Sequence, residues 1–129
     1  MKDESVKPQD IRERSFQNAL RAINLFRATQ TRKDAAGRIL GKQSLRSATS
    51  IGANIEEAQS GESRADFIHK YGIAQKEARE SLYWLRLIAE SGTMTRRQLE
   101  PLIQETNELI SVITAIIVRA KKNSGKSEG

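Results

Sequence analysis

Residues 63–92 read SRADFIHKYGIAQKEARESLYWLRLIAESG, and the punctuation of this run decides the fold class. Ser63 stands three residues before Asp66, a looser relative of the Ser-x-x-Glu capping box, and Gly61 lies just upstream. Gly92 supplies a helix stop. In between, Phe67, Tyr71, Ala74, Ala78, Leu82, Leu85 and Ala89 recur at three- and four-residue spacing, which places them on one face of an α-helix.

The same rhythm continues on both sides. Upstream, a helix over about Asp34 to Ser60 carries Leu45, Ala48, Ile51, Ile55 and Ala58. Its early part is the weaker half, because Gly37 and Gly41 lower helix propensity there. A first helix over about Asp10 to Thr29 is expected to turn Phe16, Ala19, Leu20, Ile23 and Phe26 toward the core. Downstream, Thr95 can cap a fourth helix whose apolar positions are Leu99, Leu102, Ile103, Leu109, Ile110, Ile113, Ile116, Ile117 and Ala120. Pro101 would fall inside that helix, so its regular start is expected at about Glu100, with Pro101 in the first turn. Four amphipathic helices on short loops make an all-α, up-down-up-down four-helix bundle. The 129 residues suit a single domain, with a core over about 10–122 and a disordered tail over 123–129.

Composition narrows the function classes. Lys and Arg number 22 against 16 Asp and Glu, a net charge of +6 that suits an anionic partner. The chain has no cysteine, which excludes disulfides, thiolate metal sites and cysteine nucleophiles and suits a reducing compartment. The start MKDESVKPQD has no apolar run, and the stretch from Val112 to Val118 is broken by Thr114 and far below the roughly 18 residues a membrane span needs. A cytoplasmic protein with no membrane association is expected.

The third and fourth helices carry more apolar surface than a four-helix core requires. Ile73, Trp84 and Leu87 fall away from the Phe67/Tyr71/Leu85 face, Tyr83 lies at the edge of that second patch, and Val112 and Val118 widen the stripe of the fourth helix. A patch of this kind marks a subunit interface, with Trp84 as its anchor. On the second helix, Ala48, Gly52 and Ala53 are small enough for a neighbouring helix to approach closely, and Asn54 can hydrogen-bond across that contact.

The segment Ser50-Ile51-Gly52-Ala53-Asn54-Ile55-Glu56-Glu57-Ala58, followed by Ser63-Arg64-Ala65-Asp66-Phe67 and by Ile73 to Glu80, resembles a bacterial four-helix-bundle family. Its members include proteins encoded in 23S ribosomal RNA intervening sequences and the accessory variability proteins of diversity-generating retroelements. The resemblance spans roughly Phe16 to Lys122. It implies a homo-oligomer, a ring of five bundles, and for the retroelement members it implies nucleic acid and a reverse transcriptase as partners. Glu56 and Ala58 stand where those members more often carry Ala and Gly.

Basic residues fall in two short stripes. Arg38, Lys42 and Arg46 are spaced i, i+4, i+8 opposite the apolar side of the second helix, and Arg14 and Arg21 are expected on the outer face of the first. Arg27, Arg32 and Lys33 add charge around the first loop, while Arg119, Lys121 and Lys122 complement the fourth helix's C-terminal dipole. Repeated around a ring, the stripes would hold RNA or DNA through phosphate contacts, without base stacking. A scaffold that binds only protein is the competing reading.

Catalysis is not expected. The lone histidine, His69, has Asp66 at the i−3 position, and one Asp-x-x-His cannot build a di-iron site. No nucleophile elbow or phosphate-cradling Gly-x-x-x-x-Gly-Lys occurs, and Glu56, Glu57, Glu77 and Glu80 are expected in ordinary ion pairs with Lys76, Arg79 or Arg86. No metal or cofactor is expected.

Overall fold

The computed structural model describes residues 8–61 and 63–128, so the opening residues, Glu62 and Gly129 lie outside it. Four helices account for the described chain: α1 (Pro8–Gln30), α2 (Ala35–Gln59), α3 (Arg64–Glu90) and α4 (Arg96–Glu128). Each helix packs on its sequence neighbour, α1 closes loosely on α4, and among the described residues the backbones of the diagonal pairs stay apart. Short turns between long helices force this antiparallel order.

The caps follow the sequence. Ser63 Oγ accepts from the Asp66 N–H at 3.0 Å. Thr95 and Gln98 form a reciprocal capping box, the Gln98 N–H donating to Thr95 Oγ1 at 3.2 Å and the Thr95 N–H to Gln98 Oε1 at 3.0 Å. That box starts α4 at Arg96, not at Glu100, and Pro101 sits inside the helix, where the missing N–H falls just beyond the first turn. At the other end α4 continues to Glu128, through residues expected to be a disordered tail. Ala120, Lys121 and Lys122 are strong helix formers, which helps the helix run on past residue 122. Gly92, at φ +83°, breaks the chain after α3.

Asp34 ties the two turns at one end of the bundle together. It caps α2 by accepting from the Gly37 N–H at 3.0 Å, and it accepts from Thr93 Oγ1, in the α3–α4 turn, at 2.8 Å. These bonds, the Gly37 N–H first, hold its carboxyl below the usual value of 3.8. A depressed carboxyl stabilises the fold above its unfolded value, and that stabilisation is lost as pH falls through the folded value. Asp34→Ala is therefore expected to melt at a lower temperature than wild type near neutral pH, with the gap narrowing below about pH 4. Thermal scans by circular dichroism across that range check it.

The core has two apolar clusters. Ile11, Ile51, Ile55, Ala58, Tyr71, Ala74, Ala78, Leu109, Ile113, Ile116 and Ile117 form the larger, and Leu25, Leu85, Ile88, Leu99, Leu102 and Ile103 the smaller, with half-buried Leu40 of α2 packed against it. On every helix a buried polar residue lies in sequence between the two. Asn18 Nδ2 donates to Thr106 Oγ1 at 3.4 Å, and the hydroxyls of Ser47 and Ser81 bond at 2.9 Å. Over Arg96–Asn123, α4 is long and apolar enough to pass as a membrane span by length and composition. Leu99, Leu102, Ile103, Leu109, Ile113, Ile116 and Ile117 are buried against the other helices, so packing accounts for much of that hydropathy.

The α1 stripe is the main correction. The residues of α1 that face the bundle are Ile11, Ser15, Asn18, Ala22, Leu25 and Thr29, all buried. Phe16 is 59% exposed and Leu20 41%, while Ala19, Ile23 and Phe26 are half-buried. The more apolar face of α1 points outward because the inner face meets small residues of α2 at close range. A Cβ at Gly41 would lie 2.0 Å from Thr29 Oγ1. Gly41 is thus a close-packing site rather than a weakness of α2. The proposed small-residue motif is displaced accordingly. Ala48 is buried, but Gly52 meets Ser15 only at ordinary distance, Ala53 is exposed, and Asn54 Nδ2 donates to Ser50 O of its own helix at 2.8 Å. Among the described residues Asn54 makes no side-chain bond across a helix contact.

Candidate nucleic-acid interface

Ion pairing between helices redistributes the basic stripes. Arg14 reaches Glu108 of α4 at 2.6 Å and Arg21 reaches Glu105 at 3.3 Å, so both bridge the α1–α4 seam instead of lying on an outer face. Arg46 is held by Glu80 at 2.8 Å and Glu77 at 3.4 Å, both on α3. The Glu80 hydrogen bond, followed by the charges of the two carboxylates, raises the guanidinium's pKa further. Glu77 and Glu80 therefore pair across helices and not with Lys76, Arg79 or Arg86 as expected. Two further pairs follow the same pattern: across the α1–α2 seam Arg12 forks onto Glu56 at 2.9 and 3.1 Å, and on the α2–α3 seam Lys70 reaches Glu57 at 2.7 Å. A guanidinium already bonded to a carboxylate offers little to a phosphate, so Arg14, Arg21 and Arg46 are weak contact candidates.

Of the cations in and around the predicted stripes, those left without an ion pair gather at the α1–α2 end, while Lys76, Arg79, Arg86 and Arg97 and, at the opposite end, Arg64, Arg119, Lys121 and Lys122 are likewise exposed and unpaired among the described residues. Thr29 lies against Gly41 and Gln30 Nε2 donates to Arg38 O at 3.0 Å, which brings the end of α1 beside the start of α2. Arg27, Arg32, Lys33 and Lys42 are exposed there, and none forms an ion pair among the described residues. Arg38 is half-buried and donates to Arg32 O, which folds its guanidinium over the turn. The carboxylate in the turn, Asp34, is engaged with Gly37 and Thr93. Of the predicted stripe, Lys42 is thus the free contact. Arg27, Arg32 and Lys33, first read only as added charge, form the stronger cluster with it. The sequence shows these residues but not which cations are neutralised, since the pairs join residues as far as 94 positions apart.

The expected interface residues divide by exposure. Tyr83 is 54% exposed and Val118 48%, while Ile73, Trp84, Leu87 and Val112 are half-buried, Val112 against the larger cluster. Trp84 meets Tyr83 edge-on with centroids 5.2 Å apart, and its indole N–H is buried without a partner. Trp84 is partly absorbed by its own bundle. A further uncovered apolar feature, expected in the core from the sequence, is the outer face of α1 with Phe16 and Leu20. No group of three or more His, Cys, Asp or Glu among the described residues could hold a metal ion.

A family model described as 23S rRNA-intervening sequence protein matches residues 8–115. Among solved structures, a protein with unknown function from the S23 ribosomal protein family of Bacteroides thetaiotaomicron VPI-5482 is 40% identical to this chain, with a TM-score of 0.78. That similarity covers 83% of this chain and 97% of the other. No curated protein matches.

Proposed function

The chain belongs to the 23S rRNA-intervening sequence protein family, and from that premise we propose that it is a non-catalytic, homo-oligomeric accessory protein that binds nucleic acid through the basic α1–α2 end. The observation that carries this reading is the cluster Arg27, Arg32, Lys33 and Lys42, four exposed cations without ion-pair partners among the described residues. One copy would touch only a few phosphates. A ring, for which five subunits is the number the resemblance implies, repeats the cluster and multiplies the contacts. The outward apolar face of α1 supports assembly, because an exposed Phe and Leu on one helix face is a surface that association would bury.

Binding of a structured RNA should then weaken by roughly a hundredfold or more between about 50 and 200 mM salt, with little preference among sequences. Replacing Arg27, Arg32, Lys33 and Lys42 together with Gln should weaken binding and flatten the salt slope, while Arg46→Gln should change neither. Fluorescence anisotropy with labelled RNA and duplex DNA measures both. Absence of binding by wild type at low salt would remove the reading in favour of a protein-interaction scaffold, which the ion-pairing of Arg14, Arg21 and Arg46 favours.

A further inference from the structure

At the end of the bundle away from the basic turn, α2 finishes, α3 begins and α4 passes alongside. An open cavity of about 550 Å³ lies there, lined by Gln59, Arg64, Phe67, Ile116, Arg119 and Asn123 among others. Its volume is in the range of small-molecule sites. Phe67 is half-buried and stacks on Tyr71 with ring centroids 4.5 Å apart and planes 29° apart. Tyr71 is fully buried, and its hydroxyl accepts from Gln59 Nε2 at 3.3 Å. The Phe67 ring is therefore a platform fixed from behind.

Arg64 and Arg119 are exposed and have no ion-pair partner among the described residues, unlike Arg12, Arg14, Arg21 and Arg46. Among the described residues the Asp66 carboxylate lies close by, against Gly61, where a Cβ would come within 2.6 Å of Oδ2. The charged side chains among the described residues that line the cavity are the two guanidiniums. A bare phosphate would have no use for the aromatic platform, and a purely apolar ligand would have none for two cations. With the Gln59 Nε2 engaged by Tyr71 and by Ile55 O, the Gln59 Oε1 adds an acceptor and the Asn123 amide a donor and an acceptor suited to the edge of a heteroaromatic ring.

We propose that this cavity takes a single unpaired nucleotide, its base stacked on Phe67 and its phosphate held by Arg64 and Arg119. The source is either an unpaired nucleotide of a strand, which rests on the nucleic-acid reading above, or a free nucleotide. Such a site supplies the base stacking that the sequence, with few aromatics and none interleaved with the basic stripes, gave no reason to expect.

The test titrates the full chain at low salt with a short single-stranded RNA, an RNA duplex of equal length, and free AMP and UMP. It compares wild type with Phe67→Leu and with Arg64→Gln/Arg119→Gln. Leucine keeps apolar volume against Tyr71, and the two arginines are exposed, so melting curves are expected to show folded proteins. The expected result is that each variant weakens single-strand binding by about tenfold or more while duplex binding is unchanged. Unchanged single-strand affinity in the arginine double variant overturns the cavity site and leaves the basic-turn reading standing. An equal loss for duplex and single strand also overturns it, since a stacked base requires an unpaired one. Free nucleotides bound by wild type and lost in the variants, with no strand bound, uphold the cavity and remove the strand reading. No binding of any of these ligands removes both.

Discussion

Gly41→Ala is expected to lower the melting temperature by about 10 °C, the largest stability effect of any single methyl group added to this bundle. The added Cβ would sit 2.0 Å from Thr29 Oγ1 and 2.9 Å from Thr29 Cβ. Thr29 is fully buried and β-branched, and its hydroxyl already donates to Phe26 O at 2.8 Å, so it cannot turn aside cheaply. Relief must come from moving α1 away from α2. Overpacking of this kind costs up to about 3 kcal/mol, and in a chain of this length about 1 kcal/mol corresponds to roughly 4 °C. Gly52→Ala is the matched control. Its Cβ would meet Ser15 no closer than 3.4 Å, so the gain in helix propensity of about 0.5–1 kcal/mol should raise the melting temperature. Thermal melts at one fixed protein concentration separate the two, because assembly alone shifts apparent stability. Equal changes in both variants would mean that the close approach at Gly41 is not a constraint.

Phe16→Glu combined with Leu20→Glu is expected to turn the proposed oligomer into folded monomers. Both side chains are exposed on the single bundle, so the substitutions cost the fold little. In an assembly that covers this face, each would bury a charge in an apolar contact, and interface anchors are commonly worth 2 kcal/mol or more apiece. The two together should weaken association by roughly a thousandfold, converting that loss at about 1.4 kcal/mol per factor of ten. Sedimentation equilibrium at micromolar concentration reads the mass, and far-ultraviolet circular dichroism confirms that the helices persist. Wild type sedimenting as a monomer would remove the assembly itself. A double variant that stays oligomeric would move the contact to the Tyr83 and Val118 side.

Several features were legible because they are local. Ser63 and Thr95 act within one turn of their own helices, and Gly92 acts at its own φ, so each can be read from neighbouring residues. The stripes of α3 and α4 were legible because their apolar faces are also their inner ones: Tyr71, Ala74, Ala78 and Leu85 are buried, as are Leu99, Leu109 and Ile113. In α1 that coincidence fails. Periodicity selects the more apolar of two faces, and Phe16, Leu20, Ile23 and Phe26 outscore Ser15, Asn18, Ala22 and Thr29. Apart from Ile11 and Leu25, the inner face is small or polar, and it meets Gly41 and Thr106, contacts that exist only once three helices are in place. The basic site was half legible for a related reason. The cations can be counted in the sequence, but their neutralisation depends on which carboxylates a neighbouring helix turns toward them, as Glu108 is turned toward Arg14.

The buried hydroxyl and amide layer midway along the bundle also governs how the helices can slide. A helix shifted along its neighbour by one turn preserves most apolar contacts, so greasy seams alone discriminate poorly between such translations. Here a one-turn slip of α1 along α4 would carry Asn18 from Thr106 to Leu102 or Leu109, and a slip of α2 along α3 would carry Ser47 from Ser81 to Ala78 or Leu85. Ser47 and Thr106 would keep the bonds to their own helices, but Asn18 and Ser81 would lose their cross-helix partners in hydrocarbon, at a cost of about 1–3 kcal/mol each. The layer thus acts as a vernier that admits one alignment of the four helices, and with it one arrangement of the α1–α2 turn and of the arginines at the opposite end.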